Sequence, residues 1–156
     1  MDGRIEVSIE MPVDDDGFLR RQCPSCDQQF KWYAHDSGDP DAEPVHQFFC
    51  PLCGAGAAVD DWSTPEQVDH ARHAAGPTLD RYLQDAVADA FKGVKGMAGF
   101  KPDRGFSLGL PDPDPLTEEN DMSAVVPPCH PNEPVKVPDG MLERVHCLIC
   151  GAGFAA

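Results

Sequence analysis

Four cysteines in two pairs limit what this chain can fold into more than any other feature. They stand as Cys23-Pro24-Ser25-Cys26 and Cys50-Pro51-Leu52-Cys53-Gly54, with 23 residues between the pairs. Two cysteines three positions apart reach one metal from a single tight turn, and two such turns supply the four soft ligands of a tetrahedral structural zinc site. Proline after the first cysteine presets φ, and glycine after the second tolerates φ > 0. Cys50–Gly54 has both devices. In the first pair Asp27, a residue that tolerates the left-handed region, stands where glycine would. Four cysteine ligands leave no position for a reacting water, so the spacing predicts a fold-holding metal rather than a catalytic one. Disulfides are not expected, because no secretory signal is visible and Cys-x-x-Cys pairs suit a metal in a reducing compartment.

With these knuckles the stretch 17–62 resembles the zinc-ribbon superfamily, in which two knuckles on hairpin tips bring four cysteines to one metal. The resemblance implies metal binding at Cys23, Cys26, Cys50 and Cys53. It implies no particular function, because ribbons serve nucleic-acid binding, protein contacts and plain stapling alike.

The theme returns near the C-terminus. Val145-His146-Cys147-Leu148-Ile149-Cys150-Gly151-Ala152-Gly153 echoes Val45-His46 and Cys50-Pro51-Leu52-Cys53-Gly54-Ala55-Gly56. Its partner pair is incomplete: in Cys129-His130-Pro131-Asn132 an asparagine stands where a fourth cysteine would. The expected second site is Cys129, Cys147 and Cys150 with one histidine, His130 or His146, and two zinc ions per chain follow. A fourth position left open there would be the one route to a catalytic metal. Such a zinc resembles that of the nucleobase deaminases, but the His-x-Glu and Pro-Cys-x-x-Cys elements of that family are missing. No enzyme is expected.

Charge bears on partners. The formal net charge is −15, and two loaded sites of these compositions carry it to about −18. Such a field repels phosphate backbones at long range, which weighs against the nucleic-acid role that a ribbon invites. No apolar run approaches the ~18 residues of a membrane span, so a cytoplasmic protein without membrane contact is expected. The 16 prolines and 14 glycines leave little chain for an ordinary core, and small modules of that kind lean on metal.

Residues 4–11 alternate, with Ile5, Val7, Ile9 and Met11 on one face, which predicts a half-buried strand. Asp14-Asp15-Asp16-Gly17 reads as a solvated turn without the spaced pattern of a calcium loop. Phe18–Gln22 and Gln29–His35 form the arms of the first hairpin, and Val45–Phe49 and Ala57–Trp62 those of the second. Val135-Lys136-Val137 is the counterpart, in the C-terminal module, of Phe30-Lys31-Trp32. Thr64, Pro65 and Gln67 predict a capped helix start running to about Ala75, and Gly76-Pro77 predicts a break or kink. Glu66, His70 and His73 share a face of it, where solvated side chains are the simpler reading than a metal site. Residues 78–95 predict an amphipathic helix with Leu79, Leu83, Ala86, Val87, Ala90, Phe91 and Val94 as its stripe. Lys92 and Lys95 sit at its C-terminus, where positive charge suits the dipole, and with Lys101 and Arg104 they form a basic cluster read as helix-capping. Phe106, Leu108 and Leu110 alternate as in a short strand. Pro111-Asp112-Pro113-Asp114-Pro115 is a stiff connector, followed by a polar acidic stretch.

These elements define a small metal-bound α+β fold: zinc-ribbon β-hairpins, a helical segment and a second C-terminal zinc-ribbon-like module. The expected divisions are an N-terminal strand and ribbon (1–62), a helical segment (63–96), a Pro/Asp-rich linker (97–124) and the C-terminal module (125–156). The expected function is a non-catalytic protein-interaction or adaptor module. It would bind a partner, or a second copy of itself, through the 78–95 helix. An alternative is a nucleic-acid-binding ribbon using Arg20, Arg21, Lys31, Trp32 and Tyr33, and a third is an acidic nucleic-acid mimic.

Overall fold

A computed structural model describes residues 5–35, 45–92 and 107–156. Two compact units result: residues 11–67 with 116–156 form one, and the described parts of the other are 5–10, 68–92 and 107–115.

The larger unit is two hairpin pairs joined through one sheet. β1 (Phe18–Gln22) and β2 (Gln29–Tyr33) form the first hairpin, and β5 (Ser123–Val125) and β6 (Val135–Val137) form the second. β2 and β6 then pair antiparallel, with Lys31 opposite Lys136 and Trp32 opposite Val135, so the strand order is β1-β2-β6-β5. Each half adds a two-stranded knuckle ladder: β3 (Gln47–Phe49) with β4 (Gly56–Ala58), and β7 (Val145–His146) with β8 (Gly153–Phe154). Phe49 pairs with Gly56 in the first ladder as His146 pairs with Gly153 in the second.

The halves meet around an approximate two-fold axis. Phe49 N–H donates to the Leu148 carbonyl at 2.8 Å, and the equivalent His146 N–H donates to the Pro51 carbonyl at 2.9 Å. The core is shared accordingly: Phe30 and Trp62 from the first half pack with Val125, Val135, Val137, Val145 and Leu148 from the second. Phe30 and Trp62 meet edge to face, with centroids 5.7 Å apart. Burying a large aromatic contributes about 3 kcal/mol, so neither ribbon's core is complete alone.

Asp14 is not a solvated turn residue. It is 4 % exposed, and its Oδ1 accepts from the Asp16 and Phe18 amides, both at 3.0 Å. Lys31 and Lys136 are also buried, and both Nζ atoms donate to Asp14 Oδ2, at 3.1 and 2.8 Å. Glu118 Oε1 and Asp121 Oδ1 pair with Lys31 at 3.0 and 3.2 Å, and Asp16 Oδ2 pairs with Lys136 at 2.7 Å. The acidic stretch after Pro115 is therefore folded against cations of β1 and β2. The Asp14 carboxyl is held well below the usual carboxylate range: burial raises it, but the hydrogen bonds from Lys136, the Phe18 amide and Lys31 outweigh burial.

Helix α1 (Pro65–Phe91) begins with a capping box. Gln67 N–H donates to Thr64 Oγ1 at 3.2 Å, and Thr64 N–H donates to Gln67 Oε1 at 3.0 Å. The helix runs unbroken through Gly76-Pro77. Gly76 is buried, and a Cβ there would lie 3.3 Å from the Leu110 side chain, so this glycine serves close approach rather than termination. Leu79 and Leu83 are half-buried, whereas Ala86, Val87 and Ala90 are exposed. Residues 5–11 form no strand, although their exposure alternates as expected. Residues 107–110 form no strand. Val94, Lys95, Lys101, Arg104 and Phe106 lie outside the described residues. Among those described, no helix is long and apolar enough to cross a membrane.

Candidate metal centres

Three knuckles share one backbone pattern. In the first, Cys23 N–H donates to the Gln28 carbonyl and Asp27 N–H to the Cys23 carbonyl. The same pair of bonds recurs as Cys50→Ala55 with Gly54→Cys50, and as Cys147→Ala152 with Gly151→Cys147. This turn requires one left-handed residue, and Asp27 (φ 59°), Gly54 (φ 77°) and Gly151 (φ 75°) supply it. Amides then point at the first sulfur of each N-terminal knuckle: Ser25 and Cys26 N–H at Cys23 Sγ, Leu52 and Cys53 N–H at Cys50 Sγ. Such donors stabilise a thiolate.

The knuckles bring Cys23, Cys26, Cys50 and Cys53 together with every ligand atom within 4.8 Å of the others. The Cys23–Cys53 and Cys26–Cys50 sulfurs are 3.7 and 3.9 Å apart. Four sulfurs bound tetrahedrally to one zinc lie about 3.8 Å apart, so these two separations match the spacing such an ion requires. Burial pushes the Cys50 thiol up. Cys23 moves down, because the Cys26 and Ser25 amides outweigh its burial. A divalent cation would let both ionise.

The second cluster is Cys129, His130, Cys147 and Cys150, again within 4.8 Å. Cys129 and Cys150 Sγ are 3.4 Å apart, and His130 Nδ1 lies 3.4 Å from Cys147 Sγ. A zinc-bound sulfur and nitrogen lie about 3.5 Å apart. His130 takes the place in the cluster that a cysteine at position 132 would have filled. His146 is elsewhere: its Nδ1 lies 3.2 Å from the Gly151 carbonyl oxygen, and its ring lies against Gly54. Desolvation and the Cys150 and Cys147 thiols push Cys129 up to about 11, whereas the Ala152 amide draws Cys150 down. The two clusters differ in shielding. Cys23 and Cys50 are buried in the first, and only Cys147 in the second.

The other candidate residues are placed differently. Lys31 is buried, and Arg20 donates to Glu118 at 2.8 Å and Asp121 at 2.7 Å. The Arg21 guanidinium lies 4.5 Å above the Trp32 ring, and Tyr33 is exposed. His70 Nδ1 faces the Asp114 carbonyl oxygen at 2.9 Å, and His73 lies 3.6 Å from Asp69. Sequence reasoning missed the Asp14 cluster. Its one signal was the matched pair Lys31 and Lys136, each flanked by apolar residues in a short strand.

The fold and sites define a small antiparallel β protein with a single helix among the described residues and two cysteine-rich clusters of metal-binding geometry, compatible with zinc-ribbon-like centres. Compared with protein families, characterised proteins and solved structures, the chain matches none.

Proposed function

We propose that this is a non-catalytic zinc protein that serves as a protein-interaction module. Zinc at both clusters holds the double ribbon rigid, and the apolar stripe of α1 docks a protein partner or a second copy of the chain. The observation that carries this reading is closure: each cluster offers four donors within 4.8 Å, which fills a tetrahedral ion and leaves no place for substrate or water. The stripe supports the docking role, since Val87 is 45 % exposed on a helix whose final turns are exposed throughout.

Single-stranded nucleic acid is the second reading. The exposed Tyr33 and the Arg21–Trp32 stack favour it. Against it, Arg20 and Lys31 are already neutralised by Glu118, Asp121 and Asp14. An acidic nucleic-acid mimic has only the net charge of −15 behind it.

The test uses the zinc-loaded full chain and the Leu83→Asp/Val87→Asp variant. Sedimentation measures self-association, and affinity enrichment measures retained partners. Association that the variant loses, with zinc content unchanged, is the expected result. Association that the variant keeps, or salt-sensitive binding to single-stranded DNA or RNA that Trp32→Ala abolishes, overturns the reading in favour of another surface or of nucleic acid.

A further inference from the structure

The two clusters differ in which sulfurs solvent can reach. Cys129 and Cys150 are both exposed, and their sulfurs are 3.4 Å apart. Each close sulfur pair of the first cluster includes a buried member: Cys23 lies 3.7 Å from Cys53, and Cys50 lies 3.9 Å from Cys26. Cysteine binds zinc as the thiolate, which is also its nucleophilic form. A thiolate is readily oxidised to a disulfide when it is solvent-accessible and has a second thiolate beside it. Cys129 and Cys150 meet both conditions. Cys53 is exposed, but the sulfur against it belongs to the buried Cys23.

Joining Cys129 to Cys150 would dismantle the donor set. His130 and the buried Cys147 would remain, two donors where a structural zinc takes four. The effect would reach beyond the cluster. Leu148, between Cys147 and Cys150, belongs to the shared core, and its carbonyl accepts the Phe49 N–H at 2.8 Å. A change at these cysteines therefore acts on the joint between the halves.

We propose that Cys129 and Cys150 are a reversible oxidation site: hydrogen peroxide converts them to a disulfide, and the second cluster gives up its zinc while the first keeps its own. One thiolate of the pair attacks the peroxide. Its sulfur becomes a sulfenic acid, the O–O bond breaks and hydroxide leaves. The other thiolate attacks that sulfur, the S–S bond forms, the S–O bond breaks and a second hydroxide leaves. The two sulfurs lose two electrons, the peroxide gains them, and solvent protons turn both hydroxides into water. A dithiol reverses the step by thiol–disulfide exchange and is itself left as a disulfide. This inference rests on zinc at the second cluster and adds regulation to that site.

The test exposes the full chain, loaded with zinc at both clusters, to hydrogen peroxide and follows it by native mass spectrometry. Tryptic cleavage at Lys136 and Arg144 places Cys129 and Cys150 on separate peptides. The expected product holds one zinc, and its non-reduced digest joins those peptides through Cys129 and Cys150. Cys23, Cys26, Cys50 and Cys53 should stay reduced, with their ion lost at least tenfold more slowly. Dithiothreitol with zinc chloride should restore the two-zinc mass. A disulfide between Cys147 and Cys150 overturns the inference, as does oxidation of the first cluster at a comparable rate. So does a second ion that dithiothreitol and zinc cannot restore, or a two-zinc chain whose thiols survive peroxide that oxidises free cysteine. The zinc count before peroxide separates the two failures. A chain that never carries a second ion overturns the two-zinc reading along with this inference, whereas a two-zinc chain that resists peroxide overturns this inference alone.

Discussion

Lys31 and Lys136 face each other across the β2–β6 pairing and donate to the same oxygen, Asp14 Oδ2, at 3.1 and 2.8 Å. Like charges directly opposite each other destabilise a sheet, so the central ladder depends on the carboxylate between them. Removing one partner of a buried ion group costs about 3–5 kcal/mol, because it strands the remaining charge. Lys31 keeps Glu118 and Asp121, and Lys136 keeps Asp16, so Asp14→Asn is expected to lower stability by the lower end of that range, about 3 kcal/mol, in urea denaturation. Asp15→Asn, at an exposed neighbour, should leave the midpoint unchanged.

The same cluster fixes a pH signature. Asp14 is depressed in the fold, so its contribution is complete above about 3.9, the value for an unfolded aspartate, and is lost as pH falls toward its folded value. Lys31 and Lys136 are raised, because the carboxylate partners outweigh their burial. Their contribution is complete below about 10.4 and is lost as pH rises beyond it. The stability difference between wild type and Asp14→Asn should therefore be flat from about pH 5 to 9. It should shrink below about pH 4. Taking the difference between the two proteins cancels acid effects that act equally on both.

Gly54 and Gly151 are exchanged between the halves. A Cβ on Gly54 would lie 3.0 Å from the His146 ring, and one on Gly151 would lie 2.9 Å from the Phe49 ring. Both residues also have positive φ, which costs other residues about 1–2 kcal/mol. Gly140, with φ 88° and nothing within 4 Å of a built Cβ, isolates the conformational cost. Thermal melts should rank Gly140→Ala as the mildest, with Gly54→Ala and Gly151→Ala clearly worse. Adding His146→Ala to Gly54→Ala should relieve the contact and leave the backbone strain.

The difference in shielding predicts an order of metal loss. Cys129 and Cys150 are exposed in the second cluster and only Cys147 is buried, whereas in the first only Cys53 is exposed and Cys23 and Cys50 are buried. In native mass spectrometry of the zinc-loaded chain, EDTA should take the ion from the second cluster first and give a lasting one-zinc species. Cys150→Ala should yield that species directly. Cys50→Ala should cost far more, because Cys50 belongs to the shared core.

What was legible in the sequence was local. Cysteine spacing with a left-handed residue marked all three full knuckles, two of them with proline after the first cysteine and one with Asp27 as a substitute for glycine. Phe18–Gln22 and Val135–Val137 are strands over the lengths expected, and the Thr64–Gln67 box forms. What could not be read was long-range. Nothing in Lys31 or Lys136 alone says that the two meet, or that Asp14 lies between them, since a lysine in a hairpin arm and an aspartate in a turn are ordinarily solvated. Asp121 and Glu118 read as linker residues until Arg20 and Lys31 are placed beside them. The alternation in residues 5–11 reports two unlike faces, but pairing needs a second strand, which no periodicity supplies. Gly76-Pro77 carries the composition of a stop, yet packing of Gly76 on Leu110 coincides with a helix that continues.

The reciprocal bonds Phe49 to Leu148 and His146 to Pro51 are the contacts of a two-fold dimer made within one chain. In a dimer of separate ribbons, that interface would weaken on dilution. Here the covalent link fixes the effective concentration of one half around the other, so joining the halves is a step of folding rather than of assembly. The paired state then persists at any abundance of the protein. The chain is also free to differ between its halves, with four thiols in one cluster and a histidine in the other, a difference that identical subunits cannot hold.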